Sequence, residues 1–250
     1  MPTNSTLYGA GIFTTIALAN GEPMLWEKHW RRLIQNAVKI GLDVSTIDER
    51  TTFADLLTAI EKAGVSDGRA RITFSDQRPS QIWPGSALGN VHTDLDIIVA
   101  KARPVPQNFR LGVSKYTINS RSPLAGVKSC NYLENIQTLD EAKRRGFDEA
   151  IRVNENGHVT SAAMANLFWL NGGELFTPSL ATGCLAGTTR EYILENLDCR
   201  EIEAQIDEPK TADAIFLTSA GLGVVEVAEF DSRQLVPSDH PITTILPWAT

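Results

Sequence analysis

Long apolar runs, clustered positive charge and metal-spaced cysteines are all missing from this 250-residue chain. No stretch approaches the ~20 apolar residues of a membrane span, so no membrane segment is expected. Net charge is −7, and the lysines and arginines are scattered apart from Arg31-Arg32 and Lys143-Arg144-Arg145. A nucleic-acid reader normally carries a basic face, so that class is set aside. The three cysteines, Cys130, Cys184 and Cys199, are odd in number and lack ligand spacing. No metal site and reduced, cytoplasmic thiols are the expectation, which makes the Asn4-Ser5-Thr6 sequon incidental. Met1 to Ser5 has no charged n-region leading into an apolar stretch, so no secretory signal is expected. The Gly-x-Gly-x-x-Gly and Gly-x-x-x-x-Gly-Lys-Ser/Thr nucleotide motifs are absent. The four histidines lie far apart, and no Ser/His/Asp or Cys/His arrangement emerges.

What remains is an ordinary globular composition, 42% hydrophobic and 21% charged. Gly11 to Leu18 is apolar and β-branched, and Asn20-Gly21 is a type I′ hairpin signal, with Met24-Leu25-Trp26 as the returning strand. From Glu27 a helix places Trp30, Leu33, Ile34, Ala37 and Ile40 on one face and stops at Gly41; a second, Thr52 to Ala63, carries Phe53, Leu56, Leu57 and Ile60. Arg69 to Ser75 alternates, with Ala70, Ile72 and Phe74 on one side, and Leu95 to Ala100 reads as a buried strand. Gln77 to His92 is a loop or hairpin excursion. Arg103-Pro104-Val105-Pro106 is the best linker candidate.

These signals predict two domains: a small N-terminal α/β layer over residues 1–102, a linker over 103–109, and a larger barrel-like α/β domain over 110–250. The expected class is α/β with mixed sheets. In the second part, Asn131 to Arg145 reads as a helix with Tyr132, Asn135, Ile136, Leu139 and Ala142 inward. Hairpins follow around Asn154-Gly157 and Asn171-Gly173, and another helix opens at Gly187-Thr188-Thr189.

Three features could carry chemistry. Lys128 sits on a short connector ahead of a helix, where an amine can be kept from water and gain nucleophilicity, although most such lysines are solvated charges. Gly187-Thr188-Thr189 is either an ordinary Thr N-cap or an anion site of backbone N–H donors and hydroxyls. Arg32 lies beside the apolar stripe of its helix and could turn inward as an anion clamp, or stay exposed like Arg31. A reactive lysine with a phosphate site and no nucleotide motif suits pyridoxal phosphate, which acts as an electron sink.

The wording of these segments resembles the class IV (fold type IV) pyridoxal-phosphate enzymes: branched-chain aminotransferase, D-amino-acid aminotransferase and 4-amino-4-deoxychorismate lyase. The likeness runs from about Tyr8 to Val227. Tyr8-Gly9-Ala10-Gly11-Ile12-Phe13-Thr14-Thr15 resembles the first core strand, and His29-Trp30-Arg31-Arg32-Leu33 the His-x-x-Arg-Leu segment. The resemblance implies that Arg32 binds the cofactor phosphate and that Lys128, in Lys128-Ser129-Cys130-Asn131, is the Schiff-base lysine. Asn154 to Phe168 resembles the Asn-x-x-Gly-x-Val-Thr-Glu…Asn-Leu-Phe stretch. The cofactor contacts implied are Arg32, Lys128, Ser161, Asn166, Gly187, Thr188, Thr189, Ser219 and Ala220. Arg121 is taken as the partner of a substrate carboxylate, with a solvated loop charge as the alternative. Tyr132 is taken to line the pocket, with a core role as the alternative.

The chain departs from the family wording in three places. Ser161 stands where the family has a Glu that holds a proton on the pyridine nitrogen; a hydroxyl leaves that nitrogen neutral, which weakens transamination more than elimination. Thr218-Ser219-Ala220-Gly221 lacks the usual Asn-Ser or Gly-Thr, and the lead-in before the first strand is short. The expected protein is a cytoplasmic homodimeric lyase of folate biosynthesis, yielding 4-aminobenzoate and pyruvate from a small amine that bears a carboxylate. The alternatives are a D-amino-acid or branched-chain aminotransferase, or a cofactor-binding relative that lost turnover with Ser161.

Overall fold

Asn20 and Gly21 take positive φ, 53° and 79°, the two left-handed conformations a type I′ turn requires. The turn folds β1 (Gly11–Ala19) back onto a two-residue β2 (Glu22–Pro23). The expected return strand at Met24-Leu25-Trp26 does not form. Leu25 has φ 54°, and α2 (Trp26–Lys39) starts at once. The computed structural model describes residues 1–80 and 93–248, and the chain divides into two units. The first is Met1–Arg103 with Val127–Tyr132; the second is Pro104–Gly126 with Leu133–Thr250.

In the first unit, α1 (Asn4–Tyr8) is capped by Thr3, so Tyr8 ends a helix and does not begin the first strand. α3 (Glu49–Ala63) is capped by Asp48, whose carboxylate accepts the Thr51 N–H at 2.9 Å. With β3 (Gly68–Asp76) and β4 (Thr93–Lys101) the sheet order is β2-β1-β3-β4, every pairing antiparallel. The alternation in β3 holds: Ala70, Ile72 and Phe74 are fully buried and pack with Ile12, Ile16, Leu33 and Leu56. Burial of each large side chain is worth about 1.5–3 kcal/mol. Leu57, expected inward, is 40% exposed, so the apolar stripe of α3 is narrower than expected. Residues 81–92 of the expected Gln77–His92 excursion lie outside the described residues.

Val127–Tyr132 packs with this unit although it follows the linker in sequence. The β1 edge beyond the short β2 would otherwise leave backbone groups unpaired. The Phe13 N–H donates to the Lys128 carbonyl (2.9 Å) and the Cys130 N–H to the Gly11 carbonyl (2.8 Å). The segment therefore lies as a strand on the β1 edge, bridged at Ile12 and Ser129.

The second unit contains β5 (Arg110–Val113), α4 (Leu133–Arg144), β6 (Glu149–Val153), β7 (Val159–Ala162), β8 (Asn166–Asn171), β9 (Glu174–Pro178) and α5 (Thr188–Asn196). After them come β10 (Arg200–Ile202), α6 (Asp207–Thr211), β11 (Ala214–Ser219), β12 (Gly223–Glu226), β13 (Glu229–Phe230) and β14 (Arg233–Gln234). Two five-stranded sheets result, β14-β13-β5-β6-β7 and β10-β9-β8-β11-β12, both mixing parallel and antiparallel pairs. The chain steps from one to the other between β7 and β8, where the Ala162 N–H donates to the Ala165 carbonyl (2.9 Å). Leu111, Ile151, Leu167, Trp169, Ile215 and Leu217 form the core. α4 begins two residues later than expected, and its expected inward face is buried at Ala142 but not at Ile136. Thr138, Glu141 and Ala142 are buried, whereas Ile136 is 44% exposed. Among the described residues no helix is long and apolar enough to cross a membrane.

Candidate active site

In the first unit the chemistry gathers around Thr14 of β1. His29 and Arg32, three residues apart on α2, present to the same strand, as helical spacing allows. The Arg32 Nη2 donates to the Thr14 hydroxyl at 2.8 Å, and that hydroxyl lies 2.6 Å from the His29 Nδ1. The oxygen accepts from the guanidinium and keeps a proton and a second lone pair, so it can donate to Nδ1 or accept from it according to the imidazole tautomer. Burial, then the charges of Arg32 and Lys128, hold the His29 pKa well below its ordinary value, so the ring is neutral. Arg32 is buried, unlike Arg31.

Lys128 lies close by on the β1 edge. Its Nζ donates to the Tyr132 hydroxyl at 3.3 Å and sits 4.6 Å from the centre of the Phe13 ring, which Tyr132 meets edge-on at 5.0 Å. Loss of solvation, then the positive charges of Arg32 and Arg71, bring the amine down from 10.5 to about 7. At neutral pH about half of it is the free base, the form that attacks a carbonyl or accepts a proton.

Arg71 was not singled out from the sequence. Register supplies it: Thr15 pairs with Arg71 and Phe13 with Thr73 across β1 and β3, so the guanidinium reaches diagonally over the Phe13 ring, 3.6 Å from its centre. The alternation that buries Ala70 and Ile72 sends Arg71 to the opposite face; that much was readable, but its partner strand was not.

The second unit holds an anion-type cradle. Gly187 is the N-cap of α5 with φ −71°, and no side chain caps the helix. The ordinary Thr N-cap is thereby excluded: Thr188 and Thr189 are the first two helical residues, both buried. Helix geometry leaves their N–H groups without intrahelical acceptors, at the positive end of the dipole. The Asn166 Nδ2 donates to the Leu185 carbonyl (2.8 Å), and its Oδ1 lies where a Cβ on Gly187 would fall. Only glycine permits that approach. Arg190, next along the helix, is occupied elsewhere, donating to the Pro178 carbonyl (2.9 Å) and to Glu201 (2.5 Å).

Ser161 and Asn166 flank the corner between β7 and β8, and both are buried. Buried Glu149 accepts the Met164 N–H at 2.7 Å, and the Asn135 Nδ2 donates to the Ala163 carbonyl at 2.5 Å, so the corner is held from two sides. Desolvation raises Glu149 to about 7. Asn154 shapes the preceding hairpin by accepting the N–H groups of Asn156 and His158, both at 3.0 Å. Ser219 accepts the N–H groups of Gly221 (3.3 Å) and Leu222 (3.1 Å), closing the turn before β12, with Ala220 inside that turn. Arg121 is exposed on a turn, its backbone N–H given to the Asn119 side chain.

A buried-edge amine of low pKa and a glycine-opened helix start are donor sets that fit pyridoxal phosphate. The comparison with known families agrees. The family model for amino-transferase class IV matches residues 11–230, and the chain belongs to that family of pyridoxal-phosphate-dependent enzymes. Within it, the chain is 28% identical to an aminodeoxychorismate lyase of Vibrio harveyi over 234 residues, 88% of this chain and 83% of that one. The crystal structure of a branched-chain aminotransferase from Thermoproteus uzoniensis with norvaline superposes with TM-score 0.87 at 25% identity, over 97% of this chain and 85% of that one. The 4-amino-4-deoxychorismate lyase of Pseudomonas aeruginosa gives TM-score 0.83 at 22% identity, over 97% and 91%, a likeness of fold.

Proposed function

We propose that this enzyme is a lyase acting on a small amine that bears carboxylates, of the 4-amino-4-deoxychorismate kind, releasing pyruvate and leaving 4-aminobenzoate. Bound pyridoxal phosphate supplies an electron sink for the bond broken at the carbon that carries the amine. In this reading Lys128 would hold the cofactor, and its free amine would remove the ring proton of the substrate; a pKa of about 7 suits it to both duties. Arg32 and Gly187-Thr188-Thr189 serve the cofactor phosphate, with Asn166 shaping the glycine approach. Tyr132 orients the Lys128 amine through its hydroxyl. Arg71, whose positive charge acts on Lys128, is assigned to a substrate carboxylate in preference to the exposed Arg121. Ser219 and Ala220 contribute through their turn.

The observation that carries elimination over amino-group transfer is Ser161. A buried hydroxyl occupies the position for which family wording has a carboxylate. Without that charge the ring nitrogen is not held protonated, and the electron sink is weaker. Elimination needs the sink for one departure, whereas transfer must also return a proton at a second carbon. Supplying 4-amino-4-deoxychorismate to the holoenzyme should release pyruvate and 4-aminobenzoate in equal amounts, read by coupled reduction and chromatography. Exchange between D-alanine and 2-oxoglutarate, with no 4-aminobenzoate formed, would sink the lyase reading and install the aminotransferase in its place. The reading also carries a homodimer, which light scattering checks.

A further inference from the structure

Glu149 is a buried acid that the proposed chemistry does not use. It opens β6 and is only 2% exposed. In the antiparallel β6–β7 ladder Ile151 pairs with Ala162, and two more residues of the same register bring Glu149 opposite Met164. The backbone ladder has ended by then, because the chain turns at Ala163-Met164 to enter β8. The Glu149 side chain takes over. Its Oε2 accepts the Met164 N–H at 2.7 Å, its Oε1 lies 3.4 Å from the Ala150 nitrogen, and the Ala163 N–H also favours the ionised group. From the other side the Asn135 Nδ2 donates to the Ala163 carbonyl at 2.5 Å. Ser161 stands at one foot of this corner and Asn166 at the other.

Ala162 and Ala163 are 1% exposed and Ala165 7%, so the corner's N–H groups must be served by the protein. A neutral acceptor would do so at a smaller desolvation cost. The ionised carboxylate instead offers acceptors at both oxygens and no donor, and its bonds are roughly twice as strong. Burial opposes that ion and raises Glu149 to about 7, while the Met164, Ala150 and Ala163 N–H groups and the Arg152 charge support it. On α4, which packs on β6, Glu141 is paired with Arg145 (3.1 Å). On β5, Arg110 is paired with Glu229 (3.1 Å), and Asp148 accepts its backbone N–H. β7, the corner and β8 carry no charged side chain. A proton on Glu149 would turn an O–H donor toward backbone N–H groups and cost the corner an acceptor.

We propose that Glu149 is a positioning residue: its ionised carboxylate fixes the Ala163-Met164 corner and through it sets the Ser161 hydroxyl and the Asn166 side chain where the cofactor needs them. This rests on the reading of Ser161 and Asn166 given above and deepens it. The corner slackens when Glu149 takes a proton, so cofactor affinity is linked to the charge of a residue buried at the start of β6.

Methionine provides the probe. The chain has three, Met1, Met24 and Met164, and Met1 carries no peptide N–H, so nitrogen-15 methionine labelling leaves the amides of Met24 and Met164. In the cofactor-free full chain the Met164 amide should shift downfield as pH rises through about 7, and Glu149→Gln should abolish that step. The Met24 amide, held by the Ala17 carbonyl at 2.9 Å, should not move in either protein. Pyridoxal phosphate titrated at about pH 8 should bind Glu149→Gln about tenfold or more weakly than the wild type. With Ser161→Ala and Asn166→Ala already in place, the same substitution should cost less than about twofold, since what Glu149 positions is gone. A merely structural carboxylate would cost the same factor in both backgrounds. Equal factors, or a Met164 amide that does not titrate between about pH 5 and about pH 9, overturns the proposal while cofactor binding stands. The wild-type titration needs no variant, so it decides the matter even where Glu149→Gln fails to fold. Failure of borohydride to fix the cofactor to Lys128 overturns the parent reading, and this one with it.

Discussion

The Lys128 amine should titrate near neutrality in the cofactor-free protein, and the magnitude follows from its surroundings. With a pKa of about 7 the amine is about half neutral at pH 7, whereas a solvated lysine at 10.5 is neutral in about one molecule in three thousand. The gain in free base is therefore roughly 1,500-fold. A weaker base is also a weaker nucleophile, and a slope of about 0.4–0.5, as for thiols, returns some 25- to 55-fold of that. The net expectation is a labelling rate about thirty- to sixtyfold above that of an ordinary surface lysine at pH 7. Brief reaction with a trace acylating reagent from about pH 6 to about pH 10, with peptide mass spectrometry read at each pH, measures the curve for each lysine separately. Burial is the largest cause of the shift, Arg32 the next and Arg71 the third. Arg71→Met should accordingly raise the midpoint by less than Arg32→Met does, and neither should restore 10.5. A Lys128 curve that climbs in step with the surface lysines to pH 10 would refute the reasoning, as would an Arg71→Met effect larger than that of Arg32→Met.

The same shift has a stability signature. The folded pKa lies below the unfolded one, so between pH 7 and about 10 the unfolded chain binds more protons and stability rises with pH; Lys128→Met should lose about 1–4 kcal/mol of that rise in urea unfolding at the two ends of the window. Gly187→Ala drives a methyl into the Asn166 Oδ1 and should cost about 1–3 kcal/mol by thermal or urea unfolding; the double variant with Asn166→Ala, which removes the obstructing atom, should recover most of it. Thr14→Val keeps the shape of the β1 side chain but removes the acceptor of Arg32 and the partner of His29, so stability should fall by about 1–3 kcal/mol in urea unfolding.

Local physics was legible where one segment carried all the information. Asn20-Gly21 specifies its turn through two left-handed conformations, and the alternation of Ala70, Ile72 and Phe74 specifies which face of β3 is buried. Meanings that depend on a distant partner were not legible. Arg71 gains its role from pairing with Thr15, 56 residues earlier in the chain, and no local pattern encodes that register. The pairing of Arg152 with Ser161 comes across a ladder with a shift in it, which a hairpin signal at Asn154-Gly157 does not position to the residue. Gly187 illustrates the reverse error of emphasis. The threonines after it resemble a cap, yet the glycine is the cap because the Asn166 side chain occupies the space a Cβ would need. Leu25 was missed because an apolar residue at positive φ contradicts its own propensity, and only the immediate start of α2 holds it there.

Under the proposed reading, one electrostatic principle governs two nitrogens. A positive charge beside a basic nitrogen disfavours its proton, whichever residue supplies the charge. Arg32 and Arg71 do this to the Lys128 amine, and at the ring nitrogen Ser161 brings a hydroxyl in place of a negative charge that would hold the proton. The first makes the lysine a competent base at neutral pH; the second limits how far the cofactor can delocalise the electrons that base releases. Strong base and shallow sink favour a reaction that ends as soon as a leaving group departs. If Ser161→Glu deepens the sink while Lys128 keeps its pKa of about 7, amino-group transfer should appear where there was little, and 4-aminobenzoate formation should fall by a smaller factor than transfer rises. A Ser161→Glu variant that gains no transfer while its ring nitrogen is shown to be protonated would separate the two effects and deny the ring nitrogen its part in choosing the reaction.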